Sequence, residues 1–115
     1  MRKVGFFVVV VLAFSQNLYA STPEYFNKVV DKIYIIEGGK KAKVPYGILS
    51  VKTNNPRKVC YNTVRNNYKR WLKAGRPGTY LQFLASRYAP IGVSNDPRNL
   101  NSNWYRNLSF YMGEK

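Results

Sequence analysis

Glu37 stands four residues after Ile33 on one apolar helical stripe, and Gly38-Gly39 follow it at once. A second small-residue turn, Pro45-Tyr46-Gly47-Ile48, comes soon afterwards. The chain has five acidic residues in all and no histidine. Acid–base chemistry therefore has few possible carriers, and Glu37 is the best placed of them. A carboxylic acid that protonates a leaving oxygen near neutral pH must hold its proton there, which takes apolar surroundings or a negative pole nearby. Ile33 and Tyr34 supply apolar neighbours, and the last turn of a helix is the negative end of its dipole. Lys40 and Lys41 act in the opposite sense. The two glycines leave room for a bulky ligand to approach. The competing reading of the same residues is a solvated glutamate at a helix end.

Other chemistries lack their residues. Cys60 is the only cysteine, so no internal disulfide can form. It reads as a small buried apolar residue on a helix. Without histidine there is no Ser-His-Asp triad, no thiol–imidazole pair and no ordinary zinc site. Five scattered acids do not make a calcium loop. No metal ligands and no cofactor are expected.

The start of the chain reads as an export signal. Arg2 and Lys3 precede an apolar run from Val4 to Phe14, and a more polar stretch ends at Ala20. The expected organisation is a signal peptide over 1–20 and a single domain over 21–115. The apolar run is shorter than the roughly 20 residues that span a bilayer. Leu18 is large for its place before the cut, and an uncleaved anchor is the alternative. Cleavage leaves no stable membrane span and sends a monomer to the periplasm or outside the cell. The formal charge is +14, which points to an anionic partner. Export makes that partner peptidoglycan or another anionic cell-wall polymer. Nucleic acid is not expected, since no recognised motif for it appears.

Four helices must position the candidate acid. Thr22-Pro23-Glu24 is a helix start, with Thr22 as cap and Pro23 in the first turn. Phe26, Val29, Val30 and Ile33 then keep helical spacing up to Glu37. Lys40 to Ser50 reads as irregular or strand-like, with Ile48, Leu49 and Val51 as a short extended piece. Asn55-Pro56 opens a second helix that runs to about Lys73, with Val59, Cys60, Val64, Tyr68, Trp71 and Leu72 as its apolar side. Arg57, Lys58, Arg65, Lys69 and Arg70 make it strongly basic. Thr79 and Gln82 form a capping box for a third helix reaching about Arg87, with Leu81, Leu84 and Tyr88 inward. A loop over Val93–Asn99 leads to a last helix from about Asn103, anchored by Trp104, Leu108 and Tyr111.

Glu37-Gly38-Gly39 followed by Tyr46-Gly47-Ile48 resembles the start of the lysozyme-like superfamily of phage-type muramidases and lytic transglycosylases. The resemblance implies a mainly α fold of the α+β lysozyme-like kind, with a short β-like excursion after the first helix. It also implies that Glu37 is the general acid and that Tyr46, Gly47 and Ile48 line the cleft floor. The stretches Cys60–Asn67, Phe83–Pro90 and Asn95–Trp104 are similar to small exported proteins of phage and proteobacterial genomes. Three features depart from a muramidase, the first being Val44-Pro45 in place of the Thr or Ser that often precedes the turn. The segment between Glu37 and Gly47 is short, and no second carboxylate stands where a nucleophile or base is expected. Asp96 is the one partner that its loop placement suggests. A single acid suits a lytic transglycosylase, whose substrate supplies its own hydroxyl, and equally a domain without activity.

The chain also has ten tyrosines and two tryptophans. Trp71 and Trp104 read as core residues. Tyr46, Tyr61, Tyr80 and Tyr105 read as exposed rings able to stack on sugars, or else as amphipathic rings half-buried at the domain edge. The functional expectation is therefore a peptidoglycan-cleaving glycosidase or lytic transglycosylase. The alternative is a non-catalytic cationic module that binds cell wall or serves as a phage structural component.

Overall fold

The computed structural model describes residues 22–47, 53–92 and 100–114. These residues are mainly helical, with four α-helices and three 3-10 turns. Helix α1 (Pro23–Ile36) begins where Thr22 Oγ1 accepts the Tyr25 amide at 3.3 Å. Its buried residues are Phe26, Val29, Val30 and Ile33, the spacing that puts one face inward. Glu37 caps its C-terminus, donating its backbone N–H to the Ile33 carbonyl at 3.0 Å. Gly38 then takes a left-handed φ of 104° and stops the helix.

Helix α2 (Pro56–Lys73) is capped by Asn55, whose side chain accepts from the Lys58 amide at 3.1 Å. Helix α3 (Tyr80–Tyr88) starts with the expected capping box. Thr79 Oγ1 accepts from the Gln82 amide at 3.1 Å, and Gln82 Oε1 accepts from the Thr79 amide at 3.0 Å. A 3-10 turn (Leu100–Asn103) leads into helix α4 (Trp104–Met112).

Each helix packs on the next, and α4 closes back on α1. The diagonal pairs α1–α3 and α2–α4 bring no Cα atoms within 8 Å of each other. Side chains fill that centre. At one end Phe26, Tyr68 and Tyr80 meet edge to face, with Phe26–Tyr68 and Tyr68–Tyr80 centroids 5.5 and 5.1 Å apart. Such contacts add to the burial of large apolar rings. The Tyr80 hydroxyl is satisfied by donating to the Val64 carbonyl at 2.7 Å. At the other end the C-terminus of α1 meets the N-terminus of α4, which brings Glu37 to Trp104. Glu114, two residues past α4, lies in the field of Lys28 on α1, so the two helices run antiparallel.

Of the two forms expected for the segment after α1, irregular or strand-like, its described part takes the irregular one. That part forms two 3-10 turns, Gly39–Lys41 and Pro45–Gly47, packed on each other. Proline fixes φ at position 45, and Tyr46 and Gly47 follow with φ of 61° and 68°. Two successive left-handed residues cannot continue a strand. The extended piece expected over Ile48–Val51 lies outside the described residues, as do the segment 1–20 and the loop bearing Asp96.

Two inward faces also differ from the expected ones. On α2 the buried set is Cys60, Val64, Asn67 and Tyr68, while Leu72 is exposed. On α4 Met112 is buried and Tyr111 is exposed. Tyr46 and Tyr80, expected on the surface, are only 7% and 6% exposed. Aromatic packing against Tyr34 and Tyr68 draws them in.

Candidate functional site

Glu37 leaves the end of α1 half-buried, and two elements fix its carboxyl group. The Trp104 indole N–H, at the first position of α4, donates to Glu37 Oε1 at 2.7 Å. The other oxygen rests against Gly47. A Cβ built there would lie 2.4 Å from Glu37 Oε2 and 2.8 Å from its Cδ. With φ at +68° as well, the position admits glycine for two separate reasons.

The Pro45–Gly47 turn is in turn held from several sides. The Gly47 amide donates to the Val44 carbonyl at 3.0 Å. The Tyr88 hydroxyl, at the end of α3, donates to the Tyr46 carbonyl. Arg57 on α2 bonds the Tyr46 side chain, and burial only partly offsets that bond and Asp31 in holding its guanidinium above the usual arginine range. It also pairs with Asp31 at 2.8 Å and donates to Asn27 Oδ1 at 3.2 Å, which ties the turn to α1 and α2 together.

Glu37 forms a shared wall of two concavities. One, of about 250 Å³, is lined by Glu37, Val44, Gly47, Tyr88 and Pro90. The other, of about 480 Å³, is lined by Glu37, Gly38, Trp104 and three asparagines, Asn101, Asn103 and Asn107. A third, of about 490 Å³, adjoins the first through Ala89, Pro90 and Asn101 and is more apolar, with Ile91 and Tyr105. The three share lining residues, so they lie side by side near the carboxyl group. Among the described residues no lysine or arginine pairs with Glu37; the ion pair found there joins Arg57 to Asp31. A carboxyl group pinned at one oxygen, on a residue that lines a concavity, can exchange a proton with a ligand lying there.

The expected site residues divide as follows. Glu37 and Gly47 are brought into contact. Tyr46 is beside them, but its ring is buried against Tyr34 with centroids 5.2 Å apart. It therefore offers no free face to a sugar, and its part in the site is its backbone carbonyl. Ile48 lies outside the described residues. Of the other expected stacking rings, Tyr80 belongs to the core, whereas Tyr105 borders the third concavity.

Three contributors were not anticipated: the Trp104 indole as donor, Tyr88, and the asparagines after residue 100. A buried indole N–H needs an acceptor, and acids are scarce in this chain. That scarcity was the one available signal for pairing Trp104 with Glu37.

Cys60 is buried with its thiol pushed up to about 11, burial being the main cause and the Tyr88 hydroxyl a partial offset. It is a packing residue and not a nucleophile. Among the described residues no three His, Cys, Asp or Glu gather to hold a metal ion, and no helix is long and apolar enough to cross a membrane. No family model, curated protein or solved structure matches the chain.

Proposed function

We propose that this chain cleaves the glycan strands of peptidoglycan, with Glu37 as general acid, in the manner of a lytic transglycosylase. The observation that carries the reading is the placement of Glu37. One of its oxygens is pinned by Trp104, and the residue borders two adjacent concavities without a cation paired to it among the described residues. The larger concavity is lined by Asn101, Asn103 and Asn107, a residue type that suits an uncharged, hydroxyl- and acetamide-rich ligand.

In the proposed reaction the Glu37 carboxyl proton passes to the glycosidic oxygen as the bond from that oxygen to C1 breaks. The C6 hydroxyl oxygen of the same sugar then bonds to C1, and its proton returns to the Glu37 carboxylate. One acid thus serves as acid and then base, with no water consumed and a 1,6-anhydro end formed. Export through the N-terminal segment would place the protein with this substrate, in the periplasm or outside the cell.

The second reading is a non-catalytic cationic module bound to the wall. It is favoured by α2, which has no acidic residue and exposes Lys58, Lys69, Arg70 and Lys73.

Mass spectrometry of peptidoglycan treated with residues 21–115 separates the two. Anhydro ends that vanish with Glu37→Gln are expected. Reducing ends would mean hydrolysis, with water in place of the sugar hydroxyl. Intact glycan, with binding that salt abolishes, would leave the second reading standing.

A further inference from the structure

The two supports of Glu37 come from distant parts of the chain, and a single side chain touches both. Tyr88 is the last residue of α3. Its ring stacks on Trp104, with centroids 5.0 Å apart and planes at 19°. Its hydroxyl donates to the Tyr46 carbonyl. That carbonyl and the Gly47 nitrogen belong to one rigid peptide unit. Fixing the carbonyl therefore fixes the Gly47 Cα, on which Glu37 Oε2 rests. The Gly47 N–H, on the opposite side of the same peptide, is held by Val44. Burial raises the Tyr88 phenol well above the ordinary tyrosine range, so it remains a donor. Its oxygen also lies 3.6 Å from the Cys60 sulfur, against the floor formed by α2.

We propose that Tyr88 is the positioning residue for Glu37, its ring setting the Trp104 indole and its hydroxyl setting the Tyr46–Gly47 peptide. Tyr88 also lines the smaller concavity, but this role acts through the supports and not on a ligand. The effect on turnover rests on the reading of Glu37 as general acid. The effect on the placement of Glu37 does not.

Tyr88→Phe tests the proposal, because it keeps the ring and removes only the hydroxyl. The chain has two tryptophans, so proton NMR gives two indole N–H signals. Trp104→Phe identifies the Trp104 signal, and Trp71, bonded to the Pro77 carbonyl, is the internal control. In the unmodified chain the Trp104 signal should move as Glu37 titrates and should stand still in Glu37→Gln. In Tyr88→Phe that movement should shrink while the Trp71 signal stays in place. Turnover of peptidoglycan should fall roughly 10- to 100-fold in kcat, the scale of a small misplacement of a reacting group. KM should stay within about twofold, since ligand contacts are kept.

A Trp104 signal that titrates in Tyr88→Phe as it does in the unmodified chain would overturn the proposal, whatever happens to turnover. If the unmodified chain releases no glycan fragments, the assignment of Glu37 as acid fails, and the indole signal alone upholds or overturns the role of Tyr88. Should Tyr88→Phe not fold, the unmodified chain carries the test. A Tyr88 hydroxyl proton protected from exchange with water upholds the proposal, and a freely exchanging one overturns it.

Discussion

The indole N–H of Trp104 and the carboxyl group of Glu37 meet at 2.7 Å across 67 positions of sequence. The bond joins the first residue of α4 to the cap of α1, so closure of the helical ring and assembly of the site are one event. Neither residue is well supported without the other. The indole would lose its acceptor in a buried place, and the carboxyl would regain its rotamer freedom.

Trp104→Phe should expose that coupling. Phenylalanine keeps an aromatic face for Tyr88 and removes the donor. A hydrogen bond of this kind contributes about 1 kcal/mol, and more when the acceptor is ionised. Loss of packing from the smaller ring adds to this. Urea unfolding should therefore show a loss of about 1–3 kcal/mol. Glycan release should fall about tenfold or more, because the acid is no longer held in place. Unchanged stability would mean that water replaces the indole without cost.

Gly47→Ala and Gly75→Ala form a matched pair. Both glycines have positive φ, +68° and +90°. Alanine pays a left-handed penalty of about 1–2 kcal/mol at either place. At Gly75 nothing lies within 4 Å of the added Cβ, whereas at Gly47 it would meet Glu37 Oε2 at 2.4 Å. Thermal melts should show a loss at both. Only Gly47→Ala should also lose glycan cleavage, because only there must the carboxyl group move. Equal activity in the two variants would show that the Gly47–Glu37 contact does not matter for turnover.

Stability should decline on the alkaline side. Burial raises the Cys60 thiol from 9.0 to about 11, and burial likewise raises Tyr80 and Tyr88. Each of these groups is more acidic in the unfolded chain, which therefore releases its proton first as pH rises. The stability they contribute is complete below about pH 9 and is lost progressively above it, by at most about 1.4 kcal/mol per pH unit for each group. Urea midpoints between pH 8 and 11 measure the decline. Cys60→Ala should lower the whole curve through its cavity but flatten the slope between pH 9 and 11. An unchanged slope would assign the decline to the tyrosines alone.

The sequence makes the helix ends legible because their signals are local. Thr22, Asn55 and Thr79 cap the helices that follow them, and each acts on an amide three residues away. Glu37 as a helix-terminal carboxyl was legible for the same reason. The inward faces were less so. On α2 helical spacing favoured Leu72, but Asn67 is the residue turned inward, its Nδ2 donating to the Thr63 carbonyl at 2.9 Å while its Oδ1 stays without a partner among the described residues. Hydropathy has no means of anticipating a buried polar side chain that finds a backbone partner. Tyr46 and Tyr80 were misread because their burial depends on rings from other elements. The Trp104–Glu37 and Tyr88–Tyr46 bonds are tertiary, and no spacing rule reaches across 67 or 42 positions.

Arg57 separates the ordinary worth of a surface ion pair from the worth of holding a turn. Its contact with Asp31 is short, at 2.8 Å, but the two side chains are 43% and 58% exposed. A pair so exposed contributes about 0–1 kcal/mol. Asp31→Asn should accordingly change stability by no more than about 0.5 kcal/mol, and less still in high salt. Arg57→Met keeps much of the aliphatic stem yet loses the bonds to Tyr46 and Asn27 as well. It should cost more than Asp31→Asn, and the excess should persist at high salt because it comes from hydrogen bonds that anchor the turn. The Asp31–Arg57 double-mutant cycle measures the ion-pair share alone. If Arg57→Met costs no more than Asp31→Asn, the Pro45–Gly47 turn stands without Arg57, and its geometry is set by Tyr88 and Val44 alone.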